Sequence, residues 1–120
     1  MSIDRESYFR SCISAIIPRD FTKLDISSSE DYRQLRRYNS PEYSIVMTIY
    51  HRIKNDAILD EIHQKCSDDT LALDEREQWY QLADEVSDVI MMKATEIAKS
   101  KCLIRQSYKP VLWNPSLWNN

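Results

Sequence analysis

Residues 74–104, DEREQWYQLADEVSDVIMMKATEIAKSKCLI, decide the fold. On a 3.6-residue wheel Trp79, Leu82, Ala83, Val86, Val89, Ile90, Ala94, Ile97 and Ile104 fall within one arc of roughly 140°, the mark of a single buried helix face. A helix over about 75–103 is about 43 Å long at 1.5 Å per residue. Acids (Asp74, Glu75, Glu77, Asp84, Glu85, Asp88) crowd its first half and bases (Lys93, Lys99, Lys101, Arg105) its end, which suits the helix dipole. Lys93 interrupts the apolar arc. It is expected to run its stem along the helix edge and hold its ammonium in water, or to mark an open groove.

The residues on either side supply shorter helices. Asn39-Ser40-Pro41-Glu42 places Ser at a cap, Pro at the first helical position and an acid in the first turn. The helix it opens carries Val46, Ile49, Tyr50, Ile53 and Ala57 on one face, whereas Ile58, Leu59, Ile62 and Cys66 lie roughly 150° or more around the wheel. That shift predicts a break near Asn55-Asp56 with Asp56 as a second cap; a straight helix apolar nearly all round is the alternative. Residues 67–73 read as a connection with a helical turn near Asp68. At the other end Ser2 is expected to cap a first helix carrying Tyr8, Phe9, Cys12, Ile13, Ile16 and Ile17, which Pro18 stops. Phe21, Leu24 and Ile26 then pin a loop to the core or form a short extended segment. Ser27, Ser28 and Ser29 before Glu30 and Asp31 open a second helix to about Tyr38. Past Arg105 the helical period is lost, and Pro110 and Pro115 predict an extended course. The expectation is an all-α domain: a bundle of four to five helices over 1–106, with the long helix central, and an extended aromatic tail over 107–120.

Composition narrows the chemistry. The chain of 120 residues contains 0 glycines, where average usage would give about 8. Gly-rich phosphate loops, dinucleotide-binding turns and glycine-based nucleophile elbows need backbone conformations or close approaches that side chains obstruct, so those enzyme classes are excluded from the reading. The formal net charge of -3 supplies no global basic field for nucleic acid or acidic lipid. Cys12, Cys66 and Cys102 form no Cys-x-x-Cys pair, so neither a zinc site nor a disulfide framework is expected. No apolar run approaches the ~18 residues of a membrane span and no signal-like start is present, so the expected location is the cytoplasm or a host cell interior.

Four constellations bear on function. Asp60-Glu61-Ile62-His63 has the Asp-x-x-His spacing that puts a carboxylate and an imidazole on one side of a helix, although no second set of ligands repeats it. Glu85-Val86-Ser87-Asp88-Val89-Ile90 resembles the Glu-x-x-Asp half of the all-α MazG-like nucleotide pyrophosphohydrolases. The resemblance implies carboxylates on two helices, here Asp60, Glu61, Glu85 and Asp88, holding magnesium against a triphosphate. The upstream half of that pattern, Glu-Glu-x-x-Glu, meets Asp60-Glu61-Ile62-His63-Gln64 here, which departs at its first and last positions. On the wheel Glu85 lies at the rim of the apolar arc and Asp88 nearly opposite it. Arg33, Arg36 and Arg37, with Tyr32 and Tyr38 nearby, form the basic cluster of the chain, suited to phosphate contact or to a solvated face answered by Glu30, Asp31 and Glu42.

The fourth constellation is the tail. Leu112-Trp113-Asn114 recurs as Leu117-Trp118-Asn119, and exposed together these side chains would invite aggregation. They are expected to dock on the bundle or to anchor in a protein partner or second copy, where Trp is a favoured hot-spot residue. Tyr108, Leu112, Trp113, Leu117 and Trp118 are therefore the candidate partner-binding residues, and Arg33, Arg36 and Arg37 the candidate anion or nucleic-acid contacts. The expected function is a small non-enzymatic protein-interaction module, a regulator, adaptor or inhibitor, with no cofactor or metal and no membrane association. The MazG-like hydrolase and a weak nucleic-acid binder are the alternatives.

Overall fold

The computed structural model describes residues 3–13 and 26–115. Among them are five helices and no strand: α1 (Arg5–Ser11), α2 (Glu30–Arg36), α3 (Pro41–Ile53), α4 (Asp56–Cys66) and α5 (Leu73–Ser100), with a 3-10 turn at Ile26–Ser28 before α2. The domain is all-α, as the periodicity predicts. At 28 residues, α5 is about 42 Å long, nearly the full 45 Å of the long axis. It packs chiefly against α3 and α4, while α2 packs on α3 and α1 on α5.

The core forms where the arc predicts. Leu82, Val86, Ile90, Ala94 and Ile97 of α5 meet Val46, Ile49 and Ile53 of α3 and Ile62 and Cys66 of α4. Each fully buried Val, Leu or Ile contributes about 1.5–3 kcal/mol toward offsetting chain entropy. The buried hydroxyls of Ser44, Thr48 and Thr95 donate to the carbonyls of Ser40, Thr48's own partner Ser44, and Met91, so their burial leaves no orphan donor.

The helix from Pro41 does break, and the break is a junction. Asn55, rather than Asp56, caps α4: its Oδ1 accepts from the N–H groups of Ala57 and Ile58. The same residue donates its backbone N–H to the Cys12 carbonyl at 2.8 Å and its side-chain amide to the Ser11 carbonyl at 3.0 Å. Asparagine has both donor and acceptor for this, and Asp56, with acceptors alone, does not. Ala57, grouped by the wheel with the first apolar face, is exposed. α1 starts from Asp4, whose carboxylate accepts from the Ser7 N–H, and not from Ser2. Ile26 is buried, whereas Phe21 and Leu24 lie outside the described residues. Lys93 is half-exposed and pairs with Glu96 at 3.6 Å, beside a groove of about 520 Å³ bounded by Val89, Met92 and Lys99.

α5 stops in a Schellman turn. The Leu103 N–H donates to the Ala98 carbonyl and the Cys102 N–H to the Lys99 carbonyl, with Cys102 at φ 57°. That left-handed position usually takes glycine, and this chain has none.

Candidate functional site

Beyond the Schellman turn the chain folds back along α5. Arg105 is tied to the first turn of α3, its backbone N–H and its guanidinium both meeting the Glu42 carboxylate at 3.0 Å. The Gln106 side chain donates to the Lys99 carbonyl at 2.9 Å. Pro110 lines a groove together with Thr95 and Met92, the Trp113 and Asn114 amides meet Asp88, and Trp113 lines a pocket together with Asp84 and Ser87. The descending order of the α5 residues met, Lys99 by Gln106 and Asp88 by Trp113 and Asn114, shows the tail running antiparallel to the helix. Tyr108 and Leu112 are half-buried against the core, and burial, with Tyr43 and Glu42 close by, pushes the Tyr108 phenol up from its usual range.

The clasp at Asp88 holds this course in place. One carboxylate oxygen accepts from the Trp113 N–H at 2.6 Å and the other from the Asn114 N–H at 2.9 Å. A non-helical segment on a protein surface must find acceptors for its amides, and a carboxylate satisfies two adjacent donors at once with charge-assisted bonds. Asp88 is 1% exposed. The wheel sets it opposite the apolar arc, on the solvent side, and the folded chain corrects that reading because the tail covers it.

Glu85 is likewise buried, 8% exposed, and pairs with Arg5. This ion pair fastens α1 to α5, assisted by the edge-to-face contact of Tyr8 and Trp79 at 5.5 Å. Asp60 and Glu61 lie on the exposed side of α4, where Glu61 accepts from the Tyr8 hydroxyl at 3.1 Å. The four carboxylates of the hydrolase reading therefore do not converge. Among the described residues no group of three or more His, Cys, Asp and Glu is placed to hold a metal ion, and no helix is long and apolar enough to cross a membrane.

Two of the three arginines of the basic cluster are engaged by neighbours in sequence. Arg33 pairs with Glu30 at 3.1 Å, and Arg36 donates to the Asn39 carbonyl at 2.6 Å. Arg37 is exposed at the end of α2, next to Tyr38 at 88% exposure. Among the described residues the base that α3 brings up to α2 is Arg52, which pairs with Asp31 at 3.3 Å.

Of the tail residues singled out by their pattern, Tyr108 and Leu112 are half-buried against the core, whereas Trp113 is 71% exposed. Leu117 and Trp118 lie outside the described residues. Trp113 also walls a pocket of about 220 Å³ between α3, α4 and α5. On its floor the Tyr50 and Ser87 hydroxyls are 3.0 Å apart in a hydrogen bond. Sequence reasoning missed Tyr50 and Ser87 as site residues and named Asp88 only as a carboxylate of the hydrolase resemblance, not as the acceptor of the tail's amides. In hindsight the signal is a proline-flanked tail with consecutive free amides and a carboxylate on the helix it must cross. Comparison with protein-family models, with curated proteins and with solved structures finds no match for this chain.

Proposed function

We propose that the protein is a non-enzymatic interaction module that engages a protein partner with its C-terminal tail, Trp113 being the anchor. One observation carries this reading: the backbone of Trp113 is fixed to the bundle by Asp88 while its indole is turned to solvent. A free tail would lose about 1–2 kcal/mol per residue on being ordered by a partner. Here the fold has already ordered it, so a partner that takes up the indole gains its apolar area without that cost. Tryptophan is among the residues enriched at binding hot spots. Leu112, packed against the core, and the fixed φ of Pro110 and Pro115 add stiffness. The hydrolase alternative has less support, since Glu85 and Asp88 are each engaged by groups of the protein itself.

The test is site-specific photo-crosslinking. Full-length protein carrying a photoreactive phenylalanine derivative at position 113, and separately at position 38, is irradiated in lysate of its native host. Tyr38 is at least as exposed as Trp113 but lies at the far end of α2, so it reports unspecific encounter. The reading expects discrete adducts at 113 alone, suppressed by excess wild-type protein and not by Trp113→Ala. Identical adducts at both positions, or none at 113, overturn it.

A further inference from the structure

We infer that the pocket walled by Trp113 receives a single cationic side chain, arginine or lysine, of the protein partner. The inference deepens the proposed function and rests on it. The pocket holds about 220 Å³, below the ~300–1,000 Å³ of sites for drug-sized ligands. That is room for one long side chain and too little for a nucleotide. Leu59 and Ile62 of α4 and Ala83 of α5 give it an apolar part that would cover an aliphatic stem, and His63 of α4 lines it as well.

The polar groups select the head of that side chain. Asp84 stands at the rim, exposed, and no ion pair or hydrogen bond of its carboxylate is found among the described residues. Its charge is felt inside the bundle: burial, with Asp84 adding to it, pushes the Cys66 thiol up from its usual range. An anionic group entering the pocket meets that charge, and an apolar one strips the carboxylate of water without replacing it. A cation instead pairs with Asp84 and lies against Trp113, whose ring face attracts positive charge. The hydrogen-bonded Tyr50 and Ser87 hydroxyls retain lone pairs that accept from a guanidinium or ammonium. The net charge of -3 favours the approach of a basic partner at long range.

The same clasp that presents Trp113 also builds this pocket, because the Trp113 and Asn114 amides fix the backbone to Asp88, one turn beyond Asp84, and Trp113 lines the pocket from there. Without the tail in place the pocket lacks a wall. Side-chain recognition and tail docking are therefore one device.

The probe is N-acetyl-arginine methylamide, titrated at pH 8 into the full-length, isotopically labelled protein and followed by amide and indole NMR. The leucine and glutamate analogues serve as controls. The Trp113 indole and Ser87 amide signals should shift saturably with the arginine compound alone. Asp84→Asn, at an exposed position with the shape preserved, should weaken that binding about three- to fivefold, the loss of an exposed ion pair with the Trp113 contact left in place. The inference is overturned by the absence of a saturable shift, by equal shifts from either analogue, or by an Asp84→Asn protein that binds as the wild type does. Partner adducts at position 113 together with no response to the arginine compound would remove this inference and leave the interaction module standing. A saturable arginine response with no adducts at 113 would remove the module, and with it the protein-borne side chain.

Discussion

Replacing Asp88 by asparagine isolates the clasp. In the native protein its carboxylate accepts two amide hydrogen bonds, at 2.6 and 2.9 Å, in a site that is 1% exposed. Hydrogen bonds to a charged group contribute about 1.5–3 kcal/mol each. Asparagine keeps one acceptor oxygen and turns an NH₂ toward the other amide, so one bond is lost and two donors face each other. The expected cost is about 2–3 kcal/mol, limited by the free energy with which the tail docks, because the tail can peel away before the bundle unfolds. For a chain of this size that lowers the melting temperature by about 8–12 °C. The assay is a double-mutant cycle by urea denaturation on wild type, Asp88→Asn, a chain truncated to remove residues 111–120, and the truncated chain with Asp88→Asn. Truncation uncovers Asp88, so there the substitution should fall within about 0.5 kcal/mol of neutral. Any larger cost that persists after truncation belongs to the other contacts of Asp88. A coupling near 2 kcal/mol is expected. Equal costs in both backgrounds would refute the reasoning, since Asp88 would then be stabilising α5 and not the tail.

Val86 is fully buried at the centre of the α5 arc, so Val86→Asp should destabilise the domain by ~3 kcal/mol or more; an unchanged thermal melt would show that this face is wet. Cys102→Gly relieves the left-handed backbone at φ 57° and should stabilise by about 0.5–1 kcal/mol, read in urea; a loss of stability would contradict the strain. The thiols should separate kinetically under a disulfide reagent at pH 8, Cys102 reacting at once and Cys12 and Cys66 only through opening of the fold. Burial, partly offset by a backbone hydrogen bond, pushes the Cys12 thiol up to about 11. The folded state then holds that proton more tightly than the unfolded one, so its contribution to stability is complete below the unfolded thiol value of ~8.5 and is lost as pH rises toward 11. Stability that climbs between pH 8 and 10 would refute that assignment.

What the sequence made legible was local or periodic. The arc from Trp79 to Ile97 needs only the 3.6-residue repeat, and the Ser40-Pro41 start only the chemistry of caps, so both are found where the pattern puts them. The change of apolar face after Ile53 marked the break before α4, although the choice of Asn55 over Asp56 as cap depended on the Ser11 and Cys12 carbonyls of a distant segment. Asp88 was illegible for the same reason, more strongly. A wheel measures one helix against an average neighbour and knows nothing of a segment that returns 25 residues later to cover its polar side. Glu85 is buried by Arg5 across 80 residues of sequence, which no local spacing records. The Leu-Trp-Asn repeat marked the tail as apolar chain that needs cover, and among its described residues Leu112 is packed against the core while Trp113 is exposed. Which of its side chains point in and which point out was decided by where Asp88 pins the backbone.

Amide hydrogen exchange of the unmodified full-length protein tests the clasp most directly, with Trp113 and Asn114 resolved individually by NMR. A clasp worth about 3 kcal/mol predicts that both amides exchange about 100-fold more slowly than in an unstructured peptide. If Trp113 and Asn114 instead exchange at the unstructured rate while the amides of α5 around Val86 and Ile90 remain protected, the tail is not held by Asp88 and the account is wrong at its centre.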